Sequence, residues 1–261
     1  MLIGYGQPAL APSVHGATAI NLAAMVDGRP ASVARINGGG SSVRLRADWA
    51  SPAQVGIVAI LGVTCPAGTA VTLTGRRQGD AGYAYPIAAE VIRALVDESR
   101  AAWFILPANI EPLIGLQLEV AASNLDVGEL AILQAVDVPI QVEWEASRVD
   151  PSSAERTLGG GLNVVPRRSY RRLQVALVPD QRAAVRGAAL AQGTDWDRLT
   201  YALGGNARSA VIPRWGVPGA INRDELHRTA LFGRFTPGSI AHRGGDYYAS
   251  NGWIFEEIPP L

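Results

Sequence analysis

The chain has 261 residues, 48% apolar and 18% charged, a composition typical of folded globular domains that excludes a largely disordered protein. All 23 basic side chains are Arg, and the single cysteine, Cys65, excludes an intrachain disulfide and a cysteine metal cluster. The formal net charge of zero conceals a split: residues 1–147 carry 8 Arg against 13 Asp and Glu, and residues 148–261 carry 15 Arg against 10, leaving −5 and +5.

After an extended entry segment, β signals run to about residue 147. Strands are predicted at Ala17–Met25, Ser32–Ile36, Ser42–Asp48, Gln54–Gly62 and Ala70–Gly75. Val43, Leu45 and Ala47 alternate with Arg44, Arg46 and Asp48, the pattern of a half-buried antiparallel strand. Gly38-Gly39-Gly40 and Gly79-Asp80 supply turns. Ile87, Val91 and Leu95 recur at helical spacing, but the β neighbours favour a hairpin of Ala89–Val96 and Ala101–Leu106 turning at residues 97–100. Leu113–Ala121, Glu129–Ala135 and Ile140–Trp144 follow as strands. Short strands at this spacing indicate a sandwich or jelly roll.

Arg148–Pro166 reads as a connector with a Pro-Ser-Ser run and three glycines, Gly159 to Gly161. Beyond it a strand is expected at Ser169–Val178 and a helix at Asp180–Gln192, capped by Asp180 and closed by Gly193. A second helix is expected at Thr194–Leu203, capped by Thr194 and ended by Gly204-Gly205, then strands at Ala210–Trp215, His227–Phe235, Asp246–Ala249 and Gly252–Ile258. The fold class is therefore mainly β: an antiparallel jelly-roll sandwich over 1–147, a connector over 148–166, and a smaller strand-rich α+β domain over 167–261.

No catalytic constellation is legible. His15, His227 and His242 lie far apart without metal-ligand spacing, and no nucleophile elbow or phosphate loop is present. The expectation is no catalytic residue, no metal and no cofactor. The carboxylate pairs Asp97-Glu98, Asp195/Asp197 and Glu256-Glu257 leave glycan hydrolysis as a third-ranked reading, since that chemistry needs two carboxylates facing each other. Arg167, Arg168, Tyr170, Arg171 and Arg172 form the sharpest charge feature; in a neutral chain they fit a subunit seam against carboxylates better than a nucleic-acid groove. Trp49, before Ser51-Pro52, is the candidate for stacking on a sugar ring, with core packing as its alternative; Trp103 and Trp144 are assigned to the core or a subunit contact. No 18-residue apolar run exists, so no membrane span is expected, and the N-terminus lacks a positive n-region and an h-region, so no export signal is expected either.

The opening YG…PAL…S, then INLAAMVDGRPASVARI, VRLRADW and QVGIVAILGV, resembles bacteriophage minor tail and distal tail-tip proteins with a galactose-binding-like jelly roll. SNLDVGELAILQAVDVP and the closing GRFTPGSIAHRGGDYYASNGWIFEEI resemble the continuation of the same proteins. The resemblance implies a non-enzymatic structural component, a homo-oligomeric ring contacting the tail tube, hub and fibres, located in the virion and assembled in the host cytoplasm. Opposite charges on the two halves would suit a head-to-tail ring contact. The alternative is a carbohydrate-binding module for a host-surface saccharide, held by the jelly-roll loops.

Overall fold

The computed structural model describes residues 1–108, 110–156, 160–204, 207–214 and 222–259. The chain divides into two compact units, Met1–Asp137 with Arg208–Ala230, and Val138–Ala207 with Leu231–Pro259. The sequence reading placed its boundaries at 147 and 166 and put all of 167–261 in the second domain. Trp215, read as a strand end, Gly159 in the connector and Gly205 at a helix end lie outside the described residues.

The first unit is the expected antiparallel sandwich. One sheet has five strands in the order Ala11–His15, Val43–Ala53, Leu113–Val120, Ala70–Arg77, Tyr85–Val91. A period-two pattern runs through its central strands: Val43, Leu45, Val71, Leu73, Leu118 and Val120 are fully buried, and Arg44, Arg46, Thr72, Thr74, Gln117 and Glu119 face outward. The facing sheet runs Arg93–Ala94, Arg100–Ile105, Ile57–Leu61, Glu129–Asp137, Leu2–Tyr5, Ser209–Ile212. Ile57–Leu61 is buried throughout and Glu129–Asp137 over its first five residues, so Ile57–Leu61 and Leu130–Leu133 read as continuous apolar runs rather than alternating ones. Thr18–Ile20, Ala34–Asn37 and Asn124–Val127 make a small third sheet, and Met25, Ile36 and Leu125 join the same core.

Several predicted elements change. Ala17–Met25 is a three-residue strand followed by a 3-10 turn, Leu22–Val26, because Asn21 takes a left-handed conformation at φ 56°. The entry segment holds two strands, Leu2–Tyr5 and Ala11–His15, the first buried at every residue. The hairpin at 97–100 is present between Arg93–Ala94 and Arg100–Ile105, but Tyr85–Val91 pairs in the five-stranded sheet instead. His227–Phe235 begins as a helix: Arg223–Thr229 is capped by Asn222, whose side-chain oxygen accepts from the Glu225 N–H at 3.2 Å, and the strand starts at Leu231. That helix protects a sheet edge. Arg93–Ala94 pairs only with Arg100 and Ala101, and the Trp103 N–H beyond it donates to His227 Nε2 at 3.3 Å. His227 Nδ1–H in turn donates to the Arg223 carbonyl at 2.8 Å, and burial, its largest cause, pushes the imidazole pKa down to about 4.

In the second unit, the strands Glu145–Val149, Tyr170–Val175, Trp253–Glu257 and Leu231–Thr236 lie side by side, and Asp180–Gln181, Tyr247–Asn251 and Ser239–Gly244 form a smaller sheet. Phe235 anchors the core with its ring centroid 5.0 Å from Trp253 and 4.9 Å from Phe255. The helix Trp196–Leu203 adds Trp196, Leu199 and Leu203 from one face. Its cap is Asp195, not Thr194: the Asp195 carboxylate accepts from the Arg198 N–H at 2.8 Å. The helix predicted over Asp180–Gln192 contracts to Arg182–Arg186, because Asp180–Gln181 pairs as a strand and Ala188 takes a positive φ of 53°. The connector is not structureless. It carries the end of Glu145–Val149 and a hairpin, Ser153–Arg156 with Leu162–Val165, whose side chains are all exposed. Ile140–Trp144 makes only a single bridge, Ile140 to Leu177.

One buried charge sits in the first unit. Glu129 is fully buried; its carboxylate accepts from the Gly28 N–H at 2.8 Å and lies 3.8 Å from the Arg208 guanidinium. Burial dominates over Arg208 and Gly28 and pushes its pKa up to about 8. An acid with a folded pKa above its unfolded value stabilises the fold below the unfolded pKa, and that contribution fades as pH rises through about 8. Wild-type stability relative to Glu129→Gln is therefore expected to fall, on the order of a few kcal/mol between about pH 5 and 9. Urea unfolding of both proteins across that range checks this; parallel profiles would refute it.

Candidate functional site

Two polar surfaces stand out, one in each unit. In the second unit, Glu143, Trp144, Glu145, Gln174, Val175, Ala176 and Gly252 line an open cleft of about 460 Å³. The loop that carries Trp144 is laced to its neighbour: the Gln141 N–H donates to the Ala176 carbonyl at 2.9 Å, its side-chain amide to the Leu177 carbonyl at 3.2 Å, and the Val178 N–H to the Pro139 carbonyl at 3.1 Å. Trp144 is half-buried, so part of its indole remains open to the cleft it lines. Glu145 and Gln174 are directly opposite across the strand pair, which puts a carboxylate and an amide on one face. Gly252 sits at φ +67°, where a side chain would be strained, and a Cβ there would meet the Gln174 amide at 3.3 Å. Among the described residues, no hydrogen bond or ion pair engages the carboxylates of Glu143 and Glu145. The cleft thus combines an aromatic surface, free acceptors and one amide that can both donate and accept.

In the first unit, the outward face of the five-stranded sheet carries an ordered polar array. Arg76 Nη2 donates to Asp48 Oδ1 at 2.7 Å, and the Tyr83 hydroxyl lies 2.7 Å from both Asp48 oxygens. Gly115 makes room for this: a Cβ there would sit 2.2 Å from Asp48 Oδ1 and 3.2 Å from the Tyr83 ring. Burial first, then the bond to Asp48, pushes the Tyr83 phenol up to about 12, so it stays protonated and donates. The Arg46 guanidinium lies 4.8 Å from the Tyr83 ring centroid and Arg76 5.5 Å.

The sequence candidates fall elsewhere. Trp49 is a core residue, 7% exposed, and its indole N–H donates to the Leu113 carbonyl at 2.7 Å; its ring packs inward because position 49 belongs to the buried register of its strand. Trp103 is core, as expected, at 2% exposed. Of the Arg run, Arg171 holds Glu257 through several bonds, with Nε 3.0 Å from both carboxylate oxygens, and Arg172 faces Glu256 at 4.0 Å. The Arg167 N–H donates to Ser152 Oγ at 2.8 Å, Arg168 is exposed, and Tyr170 pairs with Val149. Arg171 and Arg172 thus meet carboxylates of their own unit. Trp144, assigned to the core or a contact, is the aromatic that lines the cleft. A Glu-Trp-Glu triplet in a non-alternating segment was the available signal.

No known protein family matches the sequence, and no curated protein matches it. Solved structures similar to the chain include CpGH89CBM32-6 produced by Clostridium perfringens, at 14% identity over 47% of this chain and 93% of that one, with a TM-score of 0.36. Another is a His 62 mutant of the lectin binding domain of Lectinolysin complexed with Lewis b, at 12% identity over 49% of this chain and 94% of that one, with a TM-score of 0.37. The tail-protein expectation is corrected on this finding: the named structures are a carbohydrate-binding and a lectin domain, not tail proteins. The jelly-roll part of the resemblance stands on the strand order itself. Likeness at this level carries no ligand or partner.

Trp49→Ala is expected to cost about 3–5 kcal/mol of stability through the cavity it leaves, whereas Trp144→Ala costs much less. Chemical denaturation of the two variants checks the difference; equal losses would mean that Trp144 is also core.

Proposed function

We propose that the protein is a saccharide-recognition module that binds sugar without turning it over. The observation that carries this is the half-buried Trp144 lining a cleft of about 460 Å³ beside the carboxylates of Glu143 and Glu145 and the amide of Gln174. A sugar ring presents an apolar C–H face and a rim of hydroxyls. The indole suits the face, since aromatic rings contribute contact area at little entropic cost. The carboxylates accept from hydroxyls, and charge-assisted hydrogen bonds of that kind are about twice as strong as neutral ones. The cleft falls within the roughly 300–1,000 Å³ of small-molecule sites.

A panel of neutral mono- and oligosaccharides titrated calorimetrically tests the reading. Trp144→Ala is expected to weaken the best ligand about tenfold or more while the fold stays intact, and Glu145→Gln to weaken it less. Neutral sugars that fail to bind, or bind equally to Trp144→Ala, would overturn the cleft as the site; release of new reducing ends would overturn the non-catalytic part.

A further inference from the structure

We infer that the outward face of the first unit's five-stranded sheet is a separate site, which takes the carboxylates of an acidic polysaccharide on Arg46. Four arginines stand on or beside this face, and three have carboxylates of their own. Arg44 meets Glu119 at 3.1 Å, Arg76 meets Asp48 at 2.7 Å, and Arg77 meets Asp80 at 3.1 Å and Glu111 at 3.2 Å. Arg46 differs. Its Nε donates to Gln117 Oε1 at 2.8 Å and its guanidinium lies against Tyr83, but among the described residues no carboxylate lies within ion-pair distance of it.

The guanidinium is therefore held at one edge by an amide and on one face by a ring, leaving the two Nη groups for a ligand. That fork matches a carboxylate bidentately, and its fixed plane lowers the entropy lost on binding. The surroundings select a hydroxyl-rich polymer. In register across the sheet, Ser13 lies opposite Arg46 and Thr74 opposite Gln117, with His15 opposite Arg44 and Thr72 opposite Glu119 in the next row. Neighbouring strands are about 4.8 Å apart, so these groups form a polar strip across four strands. The outward positions of this strip are polar throughout and supply no apolar pocket for peptide side chains. A small anion would gain little from one surface guanidinium, because an exposed ion pair contributes about 0–1 kcal/mol. An extended chain engages the strip at several points and adds those contacts.

Polygalacturonate, dextran, dextran sulfate and poly-glutamate are titrated onto the full chain, with wild type, Arg46→Lys, Arg46→Gln and Arg29→Gln compared by calorimetry and thermal melting. Arg29 is exposed and lies outside the four strands of the strip, and controls for the loss of one charge. Polygalacturonate is expected to bind, dextran not, and both Arg46 variants to weaken binding about fivefold at little change in melting temperature, with Arg29→Gln within about twofold. The Lys variant decides between a shaped fork and simple charge. Full affinity in Arg46→Lys, an equal loss in Arg29→Gln, or tighter binding of poly-glutamate or dextran sulfate than of polygalacturonate would overturn the inference, as would no binding of polygalacturonate. Because the probe is acidic and the cleft reading is tested with neutral sugars, failure of one leaves the other standing.

Discussion

Period-two alternation in the five-stranded sheet is the constraint from which most of the first unit follows. The inward residues Val43, Leu45, Ala47, Val71, Leu73, Leu116, Leu118 and Val120 enter a dry core, and the outward positions between them are polar. A slip of one residue would bury Arg44, Arg46 and Glu119 and expose Val43, Leu45 and Leu118, so register is strongly specified. One register shift, between Leu113 and Gly115, falls where Gly115 lets Asp48 and Tyr83 close over the backbone; a second lies between Leu73 and Thr74, toward the edge strand Tyr85–Val91. The same alternation that builds the core therefore assembles the polar face.

The facing sheet obeys a different rule. Ile57–Leu61 and most of Glu129–Asp137 are buried on both sides, and the helix Arg223–Thr229 contributes Leu226 and His227 to the buried interior of this unit. Polar groups in such a layer need partners within reach. His227 and Trp103 satisfy each other, Arg223 pairs with the buried Glu90, and Glu129 takes the Gly28 N–H. The His227–Trp103 and Arg223–Glu90 contacts fix where a short, late segment of the chain docks in the first unit. They are structural uses of titratable residues.

The two proposed ligand surfaces differ in kind. At the cleft, a partly open ring and free acceptors form a concave site suited to one neutral sugar segment. On the sheet, three arginines are engaged by four carboxylates and Arg46 is the one guanidinium with no carboxylate of its own among the described residues, oriented on a flat strip that suits an extended acidic chain. Neither surface depends on the run at Arg167–Arg172, where Arg171 is already neutralised by Glu257.

Alternation at Val43–Asp48, the Gly and Asp turns, and the mainly β class were legible in the sequence because they are local: each depends on side chains a few residues apart. The inward place of Trp49 was implied by the same alternation, which Val43, Leu45 and Ala47 already set. What the sequence left open was long-range. Leu2–Tyr5 is a buried strand only because Glu129–Asp137 and Ser209–Ile212 flank it, and His227 is helical because Asn222 caps that turn and Trp103 receives its ring. The cleft brings Trp144, Gln174 and Gly252 together from three segments, and the solitary state of Arg46 emerges only once the other three arginines are matched to carboxylates. Local patterning determined which residues face in or out; only the tertiary pairing of distant strands decided which polar groups were left without a partner, because partnership depends on distance in space rather than separation along the chain.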